Sequence, residues 1–362
     1  MQIIQDRRQL HQIPELELCL PKTMAYLRQS LSALSCEIFS PVDNSLCAFF
    51  DFGKKTAIAF RADCDALPIA ECSDLPYAST HEGTMHACGH DGHMAILLEL
   101  ARRLNEKKDL PHNVLLIFQP GEENPGGAER ICKTGLLEQY HVSAIFGLHL
   151  WPGLEKGKLF SKENAMMSHS SEINVDIYGK SAHIGKASEG IDALAAATAY
   201  YQAVTEYEAA LPTNVLRLLK FGVLRSGTVR NALSAHSRLE GSLRAYEDDV
   251  FNDLLNHLYI AAKQIEDQFG CTVKISFEDG YPAVTNPPEL CRKVAQIAPY
   301  EMLDAPCLPC EDFSCYQQRT QGMFFFLGIG DTAPLHANNF NFDEEILLKG
   351  ADFFEHLAET FQ

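Results

Sequence analysis

Side chains that bind transition metals are concentrated in a few short stretches of this 362-residue sequence. The string MHACGHDGHM carries His86, Cys88, His90, Asp91 and His93, with Gly89 placed so that the backbone can turn the thiol and the imidazole toward one point. Asp63 and Asp65 follow Arg61, the adjacent pair Glu122 and Glu123 follows Gln119, His149 closes a third apolar run, and His336 follows a fourth. Thiolate and imidazole select zinc, manganese or a similar transition ion, nickel and cobalt included, over magnesium or calcium. A pair of divalent ions about 3.5–4 Å apart suits such a set, and a thiolate can bridge two cations where a neutral imidazole cannot. Singly, each residue has a bland reading: a lone His or Cys is more often structural, and a Glu-Glu pair in a loop is usually solvated surface. The convergence of four strand ends and one glycine-bearing loop outweighs it.

Charge supports the arrangement. Two divalent ions bring four positive charges; Cys88 thiolate, Glu123 and a bound hydroxide remove three, while His90, His149 and His336 stay neutral. The positive remainder would polarise a carbonyl and stabilise an oxyanion. Glu122 and Glu123 then divide the labour, one binding metal and the other moving protons, because successive side chains on a non-helical segment diverge.

These residues need a frame that brings them together. The runs TAIAFR (Thr56 to Arg61), NVLLIFQ (Asn113 to Gln119), SAIFGLHL (Ser143 to Leu150) and MFFFLGIG (Met323 to Gly330) are continuous and apolar, as in buried strands of a parallel sheet. Helical periodicity in HMAILLELARRLNEKK places Ile96, Leu97, Leu100 and Leu104 on one face, and alternation of strand with helix predicts a layered α/β domain. In such sheets ligands bind beyond the carboxyl ends of the strands, where the metal-binding types fall. From about Ser170 to Phe277 the order becomes β-α-β-β-α-β, the ferredoxin-like motif. The expected organisation is therefore a discontinuous, mostly parallel α/β catalytic domain, 1–169 and 278–362, with an inserted domain at 170–277.

Composition narrows the class. At 46% hydrophobic and 22% charged residues the chain reads as globular, and its length favours more than one core. A net charge of −18 disfavours nucleic acid as a partner. No apolar run approaches the roughly 20 residues of a membrane span, and the opening MQIIQDRRQLHQ lacks a signal-peptide core, so a cytoplasmic protein without membrane partners is expected. The 12 Cys then read as reduced thiols, and the CLPC pair Cys307 and Cys310 as packing rather than a redox centre.

The strings RADCDALPIAE, HEGTMHACGHDGHM, FQPGEENPGGAE, GLHLWP, GTVRNALSAHSRLEGSLRAY, CEDF and PLHANNFNFDEE, spread over nearly the whole chain, resemble the amidohydrolase family that includes N-acetyldiaminopimelate deacetylase, hippurate hydrolase and the auxin-conjugate hydrolases. The resemblance implies Cys88, His90, Glu123, His149 and His336 as ligands of two metal ions, Cys88 as the bridge, Glu122 as general base, and Asp65 as a carboxylate that orients a ligand. It implies a lid and dimerisation role for the inserted domain, with His183 reaching a neighbouring subunit's site and Asn231 and Arg244 near a substrate carboxylate. A homodimer or larger assembly follows from that role. Relatives commonly continue after this histidine with a Pro-His pair, whereas here the text is SAHIGKASEG. The activity so implied is hydrolysis of an N-acyl-L-amino acid, with N-acetyl-diaminopimelate as the favoured kind of substrate. Hippurate hydrolase, dipeptidase and carboxypeptidase are the rivals on the same scaffold, and a non-catalytic metal- or ligand-binding protein is the rival of another class. Glu122 speaks against the last, since binding metal alone requires no second carboxylate beside Glu123.

Overall fold

Unbroken apolar runs fold as interior strands because a strand covered on both faces leaves no residue in water. The computed structural model describes residues 1–278 and 280–362, and these divide into two units. The first comprises Met1–Met166, Val284–Ala305 and Glu311–Gln362; the second comprises Met167–Ala283 and Pro306–Cys310.

The first unit begins with helices α1 (Gln2–His11) and α2 (Pro21–Leu31), then strands β1 (Glu37–Phe39), β2 (Leu46–Phe50) and β3 (Ala57–Asp63). Helix α3 (His90–Asn105), strand β4 (Asn113–Gln119), short helices α4 (Ala128–Cys132) and α5 (Leu136–Gln139), and strands β5 (Val142–Pro152), β6 (Leu159–Ser161) and β7 (Asn164–Met167) follow. Every residue of β3 and of β4 is buried.

The second unit runs β8 (His169–Tyr178), α6 (Ala193–Ala210), β9 (Arg217–Ser226), β10 (His236–Ala245), α7 (Asp248–Phe269) and β11 (Thr272–Glu278). Its strands pair antiparallel in the order β11-β8-β10-β9, as the βαββαβ reading requires. Helix α6 starts at Asp192, whose Oδ1 accepts the amides of Leu194 and Ala195. Helix α7 stops at Gly270, at φ +68°, a left-handed position that favours glycine. Phe251, Leu254, Leu258, Ala261 and Ile265 of α7 enter the core of this unit. The span 170–277 read from the pattern lies inside the observed unit and omits the strap Pro306–Cys310. That strap joins by non-local bonds that leave no periodic trace: the Ser168 amide donates to Pro309 O at 3.2 Å, and Arg244 Nη1 to Leu308 O at 2.9 Å.

The chain returns through β12 (Val284–Asn286), α8 (Pro288–Ile297), β13 (Glu301–Met302), α9 (Ser314–Gln317), β14 (Gln321–Gly330) and α10 (Leu347–Thr360). The large sheet has the order β1-β2-β4-β3-β5-β14-β6-β13. Its centre, β4-β3-β5-β14, is parallel throughout, so the carboxyl ends of these four strands share one edge. Phe60, Phe118, Phe146 and Phe325 are buried in its core, each stabilising by roughly 1.5–3 kcal/mol relative to exposure. Among the described residues no helix is long and apolar enough to cross a membrane.

Candidate metal centre

The parallel centre of the sheet dictates where the polar residues meet. Asp63 ends β3, Gln119 ends β4 and is followed by Glu122 and Glu123, and His149 lies near the end of β5. Gly89, at φ +89°, turns the chain from Cys88 into α3. His336 occupies the left-handed region at φ +64° and donates its amide to Ala87 O at 2.9 Å, so the segment after β14 lies against the cysteine loop.

Cys88 Sγ is 3.3 Å from His149 Nε2. The donor atoms of Cys88, His90 and His149 lie within 4.8 Å of one another, and so do those of Cys88, Glu123 and His336. One thiol thus belongs to two triples, the geometry a bridging ligand needs. Both inner imidazoles have a fixed tautomer: His149 Nδ1–H donates to Leu150 O at 2.8 Å and His90 Nδ1–H to Asp65 O at 2.8 Å. Each Nε2 is therefore the lone-pair nitrogen that a metal takes.

Two observations test the fit of divalent ions. His90 Nε2 and Glu123 Oε1 are buried without a hydrogen-bond partner, which is costly unless something else binds them. His336 Nε2 approaches Glu123 Oε1 to 3.2 Å, an ion-pair distance without hydrogen-bond alignment. Secondly, Asp63, Asp65, Glu122, Glu123, Glu311 and Asp312 crowd into one region with Arg61 as the guanidinium among them. Burial raises Asp65, Glu122 and Glu311 well above the ordinary carboxylate range, so ionising this crowd is costly unless cations compensate it. The donor set suits two of them.

Protonation follows the same logic. Burial, and for His149 also the neighbouring His93, lowers both His90 and His149, keeping them neutral. Burial, then Glu123 and Glu122, pushes the Cys88 thiol well up; a dication held at the sulfur would oppose that field and favour the thiolate. Burial, then Glu311 and Glu123, raises Glu122 well above the ordinary carboxylate range, the direction that favours a proton on this group.

Asp65 reaches the donor residues at two points. Its peptide oxygen, rather than its carboxylate, holds His90. The carboxylate accepts the amides of Glu122 and Glu123 at 2.9 and 3.0 Å, fixing the turn that aims both glutamates. His93 shares the loop but has no nitrogen to spare: Nδ1 meets Asp63 at 2.6 Å and Nε2 accepts the Leu150 amide at 2.9 Å. Asp91 binds Arg7 and His11, each at 2.8 Å. The sequence reading passed over Arg61, Gln119, Glu311 and Asp312; the string CEDF, containing the last two, was the available signal.

In the second unit, His183 is exposed and its Nδ1 accepts the Gly185 amide at 3.1 Å, leaving the proton on Nε2. Asn231 lies beside it, its peptide oxygen accepting the Ile184 amide at 3.0 Å. Arg244 is elsewhere: it pairs with Ser170, whereas His236, next to the Asn231 loop, pairs with Tyr178. Eight residues of strand, roughly 26 Å, separate these ends of the unit. Burial pushes Cys307 up to about 12, opposite to the shift of a reactive redox thiol.

A cysteine, a glutamate and three histidines converging at the ends of parallel strands define a class of metal-dependent hydrolases. Residues 59–360 match Peptidase family M20/M25/M40, and the chain belongs to that family. It is 34% identical to an uncharacterized hydrolase of Staphylococcus haemolyticus, over 98% of this chain and 97% of that protein. Among solved structures it is similar to the Bacillus subtilis YxeP protein, a dinuclear metal-binding peptidase of the M20 family: TM-score 0.88, 30% identity, 99% of this chain and 96% of that one. It shares its fold with an aminobenzoyl-glutamate utilization protein of Klebsiella pneumoniae, at TM-score 0.69 and 18% identity, over 99% and 95% of the two chains. The chain is a metal-dependent hydrolase of this family.

Proposed function

We propose that the protein hydrolyses the amide bond of N-acyl-L-amino acids, with N-acetylated amino acids such as N-acetyl-diaminopimelate preferred, and that it does so in the cytoplasm as a homodimer. The observation that carries the reading is Cys88 in two donor triples, with Glu122 beside the second glutamate. Zinc or manganese suits the thiolate, carboxylate and imidazole donors, with nickel or cobalt as substitutes. When bound by Cys88, His90, Glu123, His149 and His336, such ions supply Lewis acidity toward the acyl oxygen and toward water.

The remaining work falls to the chain itself. Glu122 accepts a proton from the attacking water and returns it to the nitrogen as the C–N bond breaks, so an amine rather than an amide anion departs. The Asp65 carboxylate keeps Glu122 on station through the peptide amide. His183, protonated at Nε2, is suited to donate to the oxyanion, while Asn231 and Arg244 are assigned to the substrate carboxylate. His183 and Asn231 lie at the end of their unit opposite Arg244. That separation means one subunit cannot supply all three to one substrate, and supports Arg244 from one subunit with His183 and Asn231 from a second, hence the dimer.

A second reading, a dipeptidase or carboxypeptidase, is favoured by the similarity to a Bacillus subtilis peptidase. Metal analysis coupled to a panel of N-acetyl amino acids, hippurate and dipeptides, run with Mn²⁺ or Zn²⁺ against chelator, separates the two. Turnover of dipeptides alone would replace the first reading with the second, and metal-independent turnover would overturn both.

A further inference from the structure

We infer that Arg61 is a positioning residue that sets both halves of the donor cluster through directed hydrogen bonds, an inference that rests on the metal-centre reading above. The guanidinium is buried at the carboxyl end of β3. Its Nε–H donates to Gln119 Oε1 at 2.9 Å, Nη1–H to Asp63 Oδ2 at 2.9 Å, and Nη2–H to Asp312 Oδ1 at 2.7 Å.

Two of these contacts, to Asp63 and to Asp312, each start an arm. Along the first, Asp63 Oδ1 accepts from His93 Nδ1 at 2.6 Å, His93 Nε2 accepts the Leu150 amide at 2.9 Å, and Leu150 O accepts His149 Nδ1–H at 2.8 Å. The tautomer and ring orientation of His149 thus trace back to one guanidinium. Along the second, Asp312 Oδ2 accepts the amides of Gly127 and Ala128 at 3.0 and 2.9 Å and Gln119 Nε2 at 2.8 Å. These bonds close both ends of the loop that carries Glu122 and Glu123. Charge neutralisation would need only a cation among the acids. Three differently aimed donors need a planar fork, which lysine cannot offer.

The test is Arg61→Lys, which keeps the charge and loses the fork, beside His93→Phe and Asp312→Asn, which cut one arm each. Isothermal titration with Zn²⁺ and the thiolate-to-Co²⁺ charge-transfer band read the cluster without any substrate. Arg61→Lys should weaken both ions by roughly 10–100-fold, His93→Phe chiefly the ion at the His149 triple, and Asp312→Asn chiefly the ion at the Glu123 triple. Native affinity and cobalt spectrum in Arg61→Lys would overturn the inference. Equal loss of both ions in all three variants would do the same, and where Arg61→Lys does not fold, the selectivity of the other two decides. In metal-free protein the His149 Nδ1–H resonance should move in Arg61→Lys and His93→Phe and stay in Asp312→Asn. A wild type that binds no pair of ions yet shows this pattern would sink the metal-centre reading alone; an unmoved resonance would sink the positioning role.

Discussion

Stripping the metal ions should loosen the first unit and leave the second as it was. The first unit holds Cys88, His90, Glu123, His149 and His336 together with the buried carboxylates around Arg61, so removing cations leaves unpartnered donors and uncompensated charge. The second unit supplies none of the five. An ion present at a hundred times its dissociation constant stabilises the folded state by about 2.7 kcal/mol, so two ions contribute roughly 5 kcal/mol. Domains of 150–250 residues shift by roughly 2–4 °C per kcal/mol, giving a drop of roughly 10–20 °C on chelation. Calorimetry with fixed free Zn²⁺ against excess chelator measures the shift, and segment-resolved hydrogen exchange locates it. Faster exchange is expected at 85–93, 119–128 and 333–337, with α6, α7 and β8 to β11 unchanged. Equal acceleration in both units, or no change at the three donor segments, would refute the reasoning.

Glu122→Gln should retain both ions and lose roughly 10²–10⁴-fold in kcat, the usual contribution of a proton carrier; metal analysis and steady-state rates on the same preparation check it. Gly127→Ala should disrupt the glutamate loop, because a Cβ there would sit 1.7 Å from Pro120 O. Such backbone overpacking costs typically 1–3 kcal/mol or more, read as reduced metal content and a lower melting temperature. The stability of chelated protein should decline on both sides of a plateau. Burial works against it, but bonds from His11, Ser73 and the Ser79 amide bring Glu71 down to about 2, so its stabilisation is complete above its ordinary pKa and fades as pH falls toward 2. For His11, burial is outweighed by Asp91 and Glu71, which raise it; its share is complete below about 6.5 and fades as pH rises through the raised value. Melting curves of wild type and His11→Gln should therefore converge at alkaline pH, and a constant gap would contradict the assignment.

How much of this was legible in the sequence differs by kind of information. The four central strands were readable because burial on both faces makes their sequences continuously apolar, as in β4, where the predicted and observed bounds coincide at Asn113–Gln119. The fold then placed the polar residues, since parallel strands end on one edge. What periodicity could not carry was which atom of each polar residue is already in use. His90 and His93 stand one helical turn apart and look equivalent in the string MHACGHDGHM. The difference is non-local: His93 has both nitrogens occupied by Asp63 and by the Leu150 amide, 57 residues away, whereas His90 keeps Nε2 without a partner. Arg61 was equally opaque, because Asp312 lies 251 residues further on. The strap Pro306–Cys310 escaped for the same reason, being held by Ser168 and Arg244 rather than by any pattern of its own. Residue type and spacing thus nominate metal ligands, but a ring nitrogen is available only when the fold has not assigned it a hydrogen bond, and that assignment is made by partners that no local window contains.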